Sequence, residues 1–362
     1  MKKRVAVLGA TGSIGKSSLD VISRNTENFE IVLLCAYSNS QALDLLKNKY
    51  PRAACVLCKD DKNMLTEAIK NIQPDITING ISGSAGLEPS LAAIESGSTL
   101  ALANKETIVM AGSFILNKAK EKKVNIIPVD SEHSAVFHLL KAHSNDVINE
   151  IILTASGGPF RKLKPEEMKN VTAKDALVHP TWNMGQKITI DSASMANKGL
   201  EIIEACCLFN LPPDKIKVAI HPQSVVHSMI RLSNGVIYAQ LSKPDMRHPI
   251  ADALYWPETA PLNPDLLNFD FLTLEFEKPD VNKFPMLPLA VLAANNGGLY
   301  PCAYNAANET AAVLFLEQKI KFTDIPRITE RVLEADWAAN NPDLITILEA
   351  DAKARAMAKK AA

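Results

Sequence analysis

Three carboxylates have the type and placement of ligands for a hard cation. Asp130 and Glu132 stand two apart in Val129-Asp130-Ser131-Glu132-His133, and in an extended segment that spacing turns both side chains to one face. Mg²⁺ or Mn²⁺ takes oxygen ligands of this kind. Two carboxylates rarely suffice, and Glu201 is the third candidate, at the end of the stretch Asp191–Glu201. The same stretch carries Ser192, Asn197 and Lys198, neutral and charged donors grouped as a bound phosphate requires. Ser156, in the turn Ser156-Gly157-Gly158-Pro159, adds another hydroxyl. His179 opens the loop His179-Pro180-Thr181-Trp182-Asn183-Met184-Gly185, of a kind that can close over a substrate and exclude water. His133, His138, His143 and His227 show no metal spacing and read as structural, while His221 and His248 stay open.

A second chemistry sits at the start of the chain. The run Val5–Leu8 leads into Gly9-Ala10-Thr11-Gly12-Ser13-Ile14-Gly15, a G-x-x-G-x-x-G form of the dinucleotide fingerprint. The glycines let the backbone approach a pyrophosphate, and the helix that follows offers free N–H groups and a favourable dipole. After the second strand, where an NAD site usually has Asp or Glu, stands Tyr37-Ser38-Asn39-Ser40. The missing carboxylate favours NADP, whose 2′-phosphate a carboxylate would repel, although no Arg or Lys stands there. Asn104-Lys105-Glu106 and Asp130-Ser131-Glu132 follow later strands, on the edge of the sheet where ligands of open α/β folds bind.

These residues need a frame. β-branched runs at Val5–Leu8, Ile31–Cys35, Ala54–Leu57, Ile76–Ile78, Thr99–Leu102 and Val124–Ile127 alternate with amphipathic stretches such as Ser40–Lys49 and Asp60–Lys70. That order predicts an α/β protein with an N-terminal doubly wound, Rossmann-type parallel sheet over residues 1–148. Runs at Glu150–Leu153, Val218–Ile220, Val225–Arg231 and Val236–Leu241 predict a central α/β catalytic domain with a mixed sheet, residues 149–262. Prolines 244, 249, 257, 261, 264, 279, 285 and 288 read as extended chain, with a linker at 263–282. Leu287–Asn295, Ala303–Gln318, Ile325–Ala335 and Leu344–Lys359 predict a C-terminal helical domain over 283–362, its last dozen residues fraying.

Composition sets limits. With 39 Lys+Arg against 40 Asp+Glu, the chain lacks the basic excess that a nucleic-acid or membrane surface demands, but a small anion site is compatible. No apolar run reaches the length of a membrane span, and the first strand begins at Arg4, which predicts a cytoplasmic protein. Six cysteines do not form a disulfide framework. Cys55 and Cys58 have C-x-x-C spacing without partners for zinc, and read, like Cys206-Cys207, as buried structural thiols.

The segments G-A-T-G-S-I-G, A-L-A-N-K-E, P-V-D-S-E-H, S-G-G-P-F, H-P-T-W-N-M-G, D-S-A-S-M-A-N-K-G-L-E, H-P-Q-S-V-V-H-S-M and P-D-M-R-H-P-I together resemble the 1-deoxy-D-xylulose-5-phosphate reductoisomerase family, in its order and over essentially the whole chain. The resemblance implies conversion of 1-deoxy-D-xylulose 5-phosphate to 2-C-methyl-D-erythritol 4-phosphate in the non-mevalonate isoprenoid pathway, with NADPH and a divalent cation, by a homodimer. It implies Asp130, Glu132 and Glu201 as metal ligands. Ser156, Ser192, Asn197, Lys198 and His179 hold the substrate, mostly at its phosphate, with Ser131 and Lys105 nearer the reacting end. Thr11, Gly12, Ser13, Ile14, Asn39, Asn104, Glu106 and Gly185 contact the nucleotide, and Trp182 and Met184 belong to a lid. No residue is an unambiguous general base; Glu132 and Lys105 come nearest. Relatives often have Gly-Lys-Asn where this chain has Tyr37-Ser38-Asn39, and Asn-Trp-Ser where its lid has Thr181-Trp182-Asn183. A simple NADP-dependent dehydrogenase and a nucleotide-sensing protein without catalysis are the competing classes.

Overall fold

The computed structural model describes residues 1–59, 63–143, 147–182, 184–261 and 266–362. Its elements run β1 (Lys3–Leu8), α1 (Ser13–Ser23), β2 (Phe29–Ala36), α2 (Ser40–Lys49), β3 (Ala54–Leu57), α3 (Asn63–Ile72), β4 (Ile76–Asn79), α4 (Leu87–Glu95), β5 (Thr99–Leu102), α5 (Lys105–Lys122), β6 (Ile126–Pro128) and α6 (Ser131–Ala142). There follow β7 (Ile148–Ala155), α7 (Ala173–Ala176), α8 (Gln186–Ala193), α9 (Ala196–Phe209), β8 (Ile216–Ile220), β9 (Val226–Leu232), β10 (Ile237–Leu241), α10 (Arg247–Tyr255), α11 (Met286–Asn296), α12 (Tyr300–Leu316), α13 (Asp324–Leu333) and α14 (Leu344–Ala361).

The chain divides into two compact units. The first holds Met1–Thr107, Ile115–Ser134 and the segment from Asp245 through α10; the second holds Ile108–Phe114, Ala135–Pro244 and the residues from 266 onward. In the first unit a six-stranded parallel sheet has the order β3-β2-β1-β4-β5-β6. Val5 to Leu8 are all fully buried, because a parallel strand covered on both faces is apolar without alternation. Strand order reverses between β1 and β4, which makes the carboxyl ends of those two strands the natural crevice for a ligand. The second unit holds a four-stranded sheet, β10-β9-β7-β8, antiparallel except for the β7–β8 pair, and helices α11 to α14. Buried alanines at 303, 306, 307 and 311 let α12 lie close against its neighbours α11, α13 and α14.

The α/β class, the parallel sheet, the mixed sheet and the helical C-terminal region agree with the sequence. Four local expectations do not. The segment from Asp130 is no extended strand: α6 begins at Ser131, so Glu132 lies in a first helical turn. The proline-rich stretch contains a helix, α10, with Pro249 as its third residue, where a missing N–H costs no intrahelical bond. The C-terminus does not fray: α14 runs to Ala361 with Ala354 and Ala358 fully buried, and Arg355 bonds Glu309 (2.9 Å) and Asp351 (2.7 Å). The cysteine pairs are half-buried rather than buried, Cys55 and Cys58 in and just after the edge strand β3 and Cys206 and Cys207 near the end of α9. All six cysteines are free thiols. Residues 60–62, the predicted start of a helix, and 262–265, where the linker begins, lie outside the described residues.

Candidate active site

The nucleotide edge of the first unit is built from glycine. Gly9 has φ +75°, and a Cβ there would lie 2.8 Å from the Gly80 carbonyl oxygen. A Cβ on Gly15 would lie 2.4 Å from the oxygen of Gly9, so only glycine allows the fingerprint to fold this tightly onto β4 and α1. Gly12 precedes α1 in extended conformation, and no acidic residue occupies the first turn, which leaves the positive end of the helix dipole to an anion. Gly12 and Ser13 are exposed; Thr11 and Ile14 are half-buried. Asn39 is exposed at the end of β2, where its side chain caps α2 by accepting from the Ala42 N–H at 3.0 Å.

Two strands further along the same edge stands a buried ion pair. Lys105 Nζ lies 2.5 Å from Asp130 Oδ2, with the two side chains 5% and 12% exposed. The other oxygen, Oδ1, accepts from the backbone N–H groups of Glu132 (3.1 Å) and His133 (3.3 Å) and lies 3.2 Å from His133 Nδ1. Asp130 therefore caps α6 with one oxygen and presents a lysine-balanced negative charge with the other. Ser131 Oγ donates to Glu132 Oε2 at 2.6 Å.

In the second unit, β7 ends in the Ser156-Gly157-Gly158 turn, with both glycines at positive φ. A Cβ on Gly158 would stand 2.6 Å from the Ser192 carbonyl oxygen, so the turn packs directly on the end of α8. That approach brings three candidate phosphate ligands together. His179 Nε2 lies 3.0 Å from Ser156 Oγ and 3.1 Å from Ser192 Oγ. His179 Nδ1 accepts from the backbone N–H groups of Thr181 (3.1 Å) and Trp182 (2.9 Å), so the ring proton is on Nε2, facing the two hydroxyls. Burial pushes the imidazole down to about 4, which keeps it neutral at physiological pH.

This histidine makes stability depend on pH. In an unfolded chain it takes up a proton near its ordinary value of 6.5, whereas the folded ring takes none until about 4. Stability is therefore full above the ordinary value, falls as pH drops through that interval, and levels off below it. Melting temperatures recorded across the interval should fall with pH, and His179→Gln should flatten that slope. An unchanged slope in the variant would remove His179 as its source.

Helix α9 supplies the remaining candidates of this unit. Asn197 Nδ2 donates to Glu201 Oε1 at 2.6 Å, and the Lys198 ammonium pairs with Glu201 Oε2. Lys198 and Glu201 are almost wholly buried. Asp191 of α8 pairs with Lys187 Nζ one turn earlier on the same helix (2.7 Å) and accepts from Asn308 Nδ2 of α12 (2.9 Å), which ties α8 to α12. Trp182 and Met184 are half-buried, Gly185 is exposed before α8, and Asn183 lies outside the described residues.

A family model described as 1-deoxy-D-xylulose 5-phosphate reductoisomerase matches residues 5–74 and 60–112. Models of the family's C-terminal domains match residues 126–209 and 241–357. The 1-deoxy-D-xylulose 5-phosphate reductoisomerase of Treponema denticola is 47% identical over 367 residues, covering 99% of this chain and 96% of that protein. The chain belongs to the 1-deoxy-D-xylulose-5-phosphate reductoisomerase family. Solved reductoisomerases share its fold. The enzyme of Zymomonas mobilis in complex with NADPH has a TM-score of 0.91 at 40% identity, over 99% of both chains. A reductoisomerase in complex with NADPH, fosmidomycin and magnesium has a TM-score of 0.93 at 36% identity, over 99% of this chain and 98% of that one.

Several polar side chains of the chain escape a motif-based reading. His133 touches Asp130 only because α6 starts at Ser131, and the signal for it was the spacing of three that a helix brings together. Asp191 and Asn308 meet across 117 residues of sequence, which no local pattern reveals. His221, open in the sequence, is structural: Nδ1 bonds the Glu275 carbonyl oxygen (2.9 Å), Nε2 accepts from Val225 and Val226, and the ring stacks on Phe276 at 4.8 Å.

Proposed function

We propose that this chain is an NADPH- and divalent-cation-dependent enzyme that isomerises and reduces 1-deoxy-D-xylulose 5-phosphate to 2-C-methyl-D-erythritol 4-phosphate. The observation that carries the reading is on one sheet edge. The fingerprint after β1 and the lysine-balanced carboxylate Asp130 after β6 stand at the carboxyl ends of the same parallel sheet, where nucleotide and substrate chemistry meet in such folds.

The residues fit both groups. Asp130, Glu132 and Glu201 offer carboxylate oxygens, the donors a hard cation prefers, and Asp130 and Glu201 each pair with a lysine ammonium. Thr11, Gly12, Ser13 and Ile14 surround a helix N-terminus suited to pyrophosphate, and Asn39, Asn104, Glu106 and Gly185 complete the proposed nucleotide contacts. When bound, the cation polarises the substrate's carbonyl and hydroxyl oxygens and the dihydronicotinamide supplies a hydride.

The chain's own groups do the rest. Ser156, Ser192 and the Nε2–H of a neutral His179 present three donors to the phosphate, and Asn197 and Lys198 add polar and charged contacts. His179 also holds the backbone of Thr181 and Trp182, so filling the phosphate site bears on the base of the proposed lid, where Trp182 and Met184 exclude water. Remote binding energy from the phosphate orients the reacting end beside Ser131 and Lys105. The Lys105 ammonium, already donating to Asp130, stabilises negative charge developing on substrate oxygen. Manganese in place of magnesium, a homodimer and a cytoplasmic location belong to the same proposal, with no nucleic-acid partner. Among the described residues, no helix is long and apolar enough to cross a membrane.

The test is the product. Incubation with the ketose phosphate, NADPH and Mg²⁺ should give a branched polyol phosphate with a tertiary alcohol carbon in its carbon NMR spectrum. An unbranched alcohol would instead identify a simple sugar-phosphate dehydrogenase.

A further inference from the structure

The loop after β4 is pinned by two buried asparagines. Asn79, the last residue of β4, is fully buried. Its Oδ1 accepts from the Ile81 N–H at 3.1 Å, and its Nδ2 donates to the Gly86 carbonyl oxygen at 2.9 Å and to Ser90 Oγ at 2.7 Å. Asn104, 2% exposed, works from the other side. Its Nδ2 donates to the carbonyl oxygens of Ile81 (2.6 Å) and Gly83 (2.8 Å), while its Oδ1 accepts from the N–H (3.0 Å) and hydroxyl (2.5 Å) of Thr107. Both amides thus spend their polar atoms inside the protein, four of the bonds going to the backbone of residues 81–86.

The place of this loop gives the clamp a purpose. It leaves the sheet where strand order reverses, so it forms one wall of the ligand crevice and the fingerprint forms the other. The walls touch at their bases: a Cβ on Gly80 would lie 3.0 Å from the Ile14 side chain, and Gly9 packs on the Gly80 carbonyl. A backbone wall can present its groups to a nucleotide only if its conformation is fixed beforehand, since a loop ordered during binding subtracts that ordering from the affinity.

We propose that Asn79 is a positioning residue for the dinucleotide and acts together with Asn104: by pinning both ends of the Ile81–Gly86 loop, it pre-forms the crevice wall opposite the fingerprint. On this account the Asn104 amide shapes the loop as well, while also donating to Glu106 Oε2 at 3.2 Å, its neighbour among the proposed nucleotide contacts. The inference rests on the proposed binding of NADPH at this edge.

Asn79→Ala removes three hydrogen bonds and should raise the NADPH dissociation constant, measured by fluorescence titration, about tenfold or more. The KM for NADPH should rise with it, while kcat at saturating NADPH falls much less. Hydrogen exchange should lose protection over residues 81–86 selectively. Gly86→Ala attacks the same wall from the other side, because its Cβ would stand 2.6 Å from the Asn104 side chain, and it should weaken NADPH similarly. Ser98→Ala deletes the buried Thr77–Ser98 hydroxyl bond (2.8 Å), which touches neither asparagine nor the loop, and should leave the affinity within about twofold of wild type. Wild-type NADPH affinity in folded Gly86→Ala or Asn79→Ala overturns the proposal, as does equal weakening by Ser98→Ala. If Asn79→Ala does not fold, Gly86→Ala and its exchange pattern decide. Wild-type protein that does not bind NADPH brings down the functional proposal instead, so the two failures are distinct.

Discussion

Asp130→Asn should reduce kcat by about a thousandfold or more, the scale of losing a charged ligand from a metal-assisted site. The substitution separates the two tasks of this side chain. Asparagine is as good a helix cap as aspartate, so its Oδ1 can still accept from Glu132 and His133 at the start of α6. The negative charge facing Lys105 is lost. An ammonium only 5% exposed then has one counter-charge fewer, and the variant should be less stable by about 1–3 kcal/mol, still well folded at assay temperature. Binding of Mn²⁺, followed by titration calorimetry, should weaken in step with kcat. Native turnover and native metal affinity in a folded Asp130→Asn protein would exclude Asp130 as a ligand.

Glu201→Gln should be inactive as well, but with a larger cost to the fold. Glu201 and Lys198 are 1% and 4% exposed in their side chains, and removing one member of a buried ion pair costs about 3–5 kcal/mol because the other charge is stranded. For a unit of this size that corresponds to a fall in Tm of roughly 6–20 °C. The burial of the Lys198–Glu201 pair is what makes the cost to the fold larger here than for Asp130→Asn. The double variant Lys198→Met/Glu201→Gln removes both charges and should recover most of the lost Tm while remaining inactive. Recovery of stability without activity separates the ion pair's structural share from its share in the chemistry. If Glu201→Gln melts like wild type, the pair does not stabilise the fold as its burial suggests.

The parallel sheet was legible because a strand buried on both faces is written as an uninterrupted apolar run, as in Val5–Leu8. The fingerprint was legible because its glycines answer a backbone demand that no other residue meets. Ser156, His179 and Ser192 could be picked out one by one as donors, and the structure shows why they converge: two glycines at positive φ carry β7 onto the end of α8. What failed was local geometry around a cap. Val129-Asp130-Ser131-Glu132 looks extended by composition, yet Asp130 is the side chain that starts a helix, and reading it as strand hid His133. Pro249 misled for a related reason, since a proline in a first turn starts a helix rather than breaking it. The asparagine clamp on residues 81–86 and the Asp191–Asn308 contact were invisible, because neither carries a motif and both depend on which strands and helices become neighbours.

If one chain couples a metal-dependent rearrangement to an NADPH-dependent reduction, NADPH oxidation must need both the ketose phosphate and the cation. The most direct measurement is NADPH absorbance with 1-deoxy-D-xylulose 5-phosphate as substrate, followed before chelation, after removal of divalent cations, and after Mg²⁺ is restored. Consumption should require the ketose phosphate, stop on chelation and return with Mg²⁺. Consumption that continues unchanged in the chelated protein would contradict this coupling.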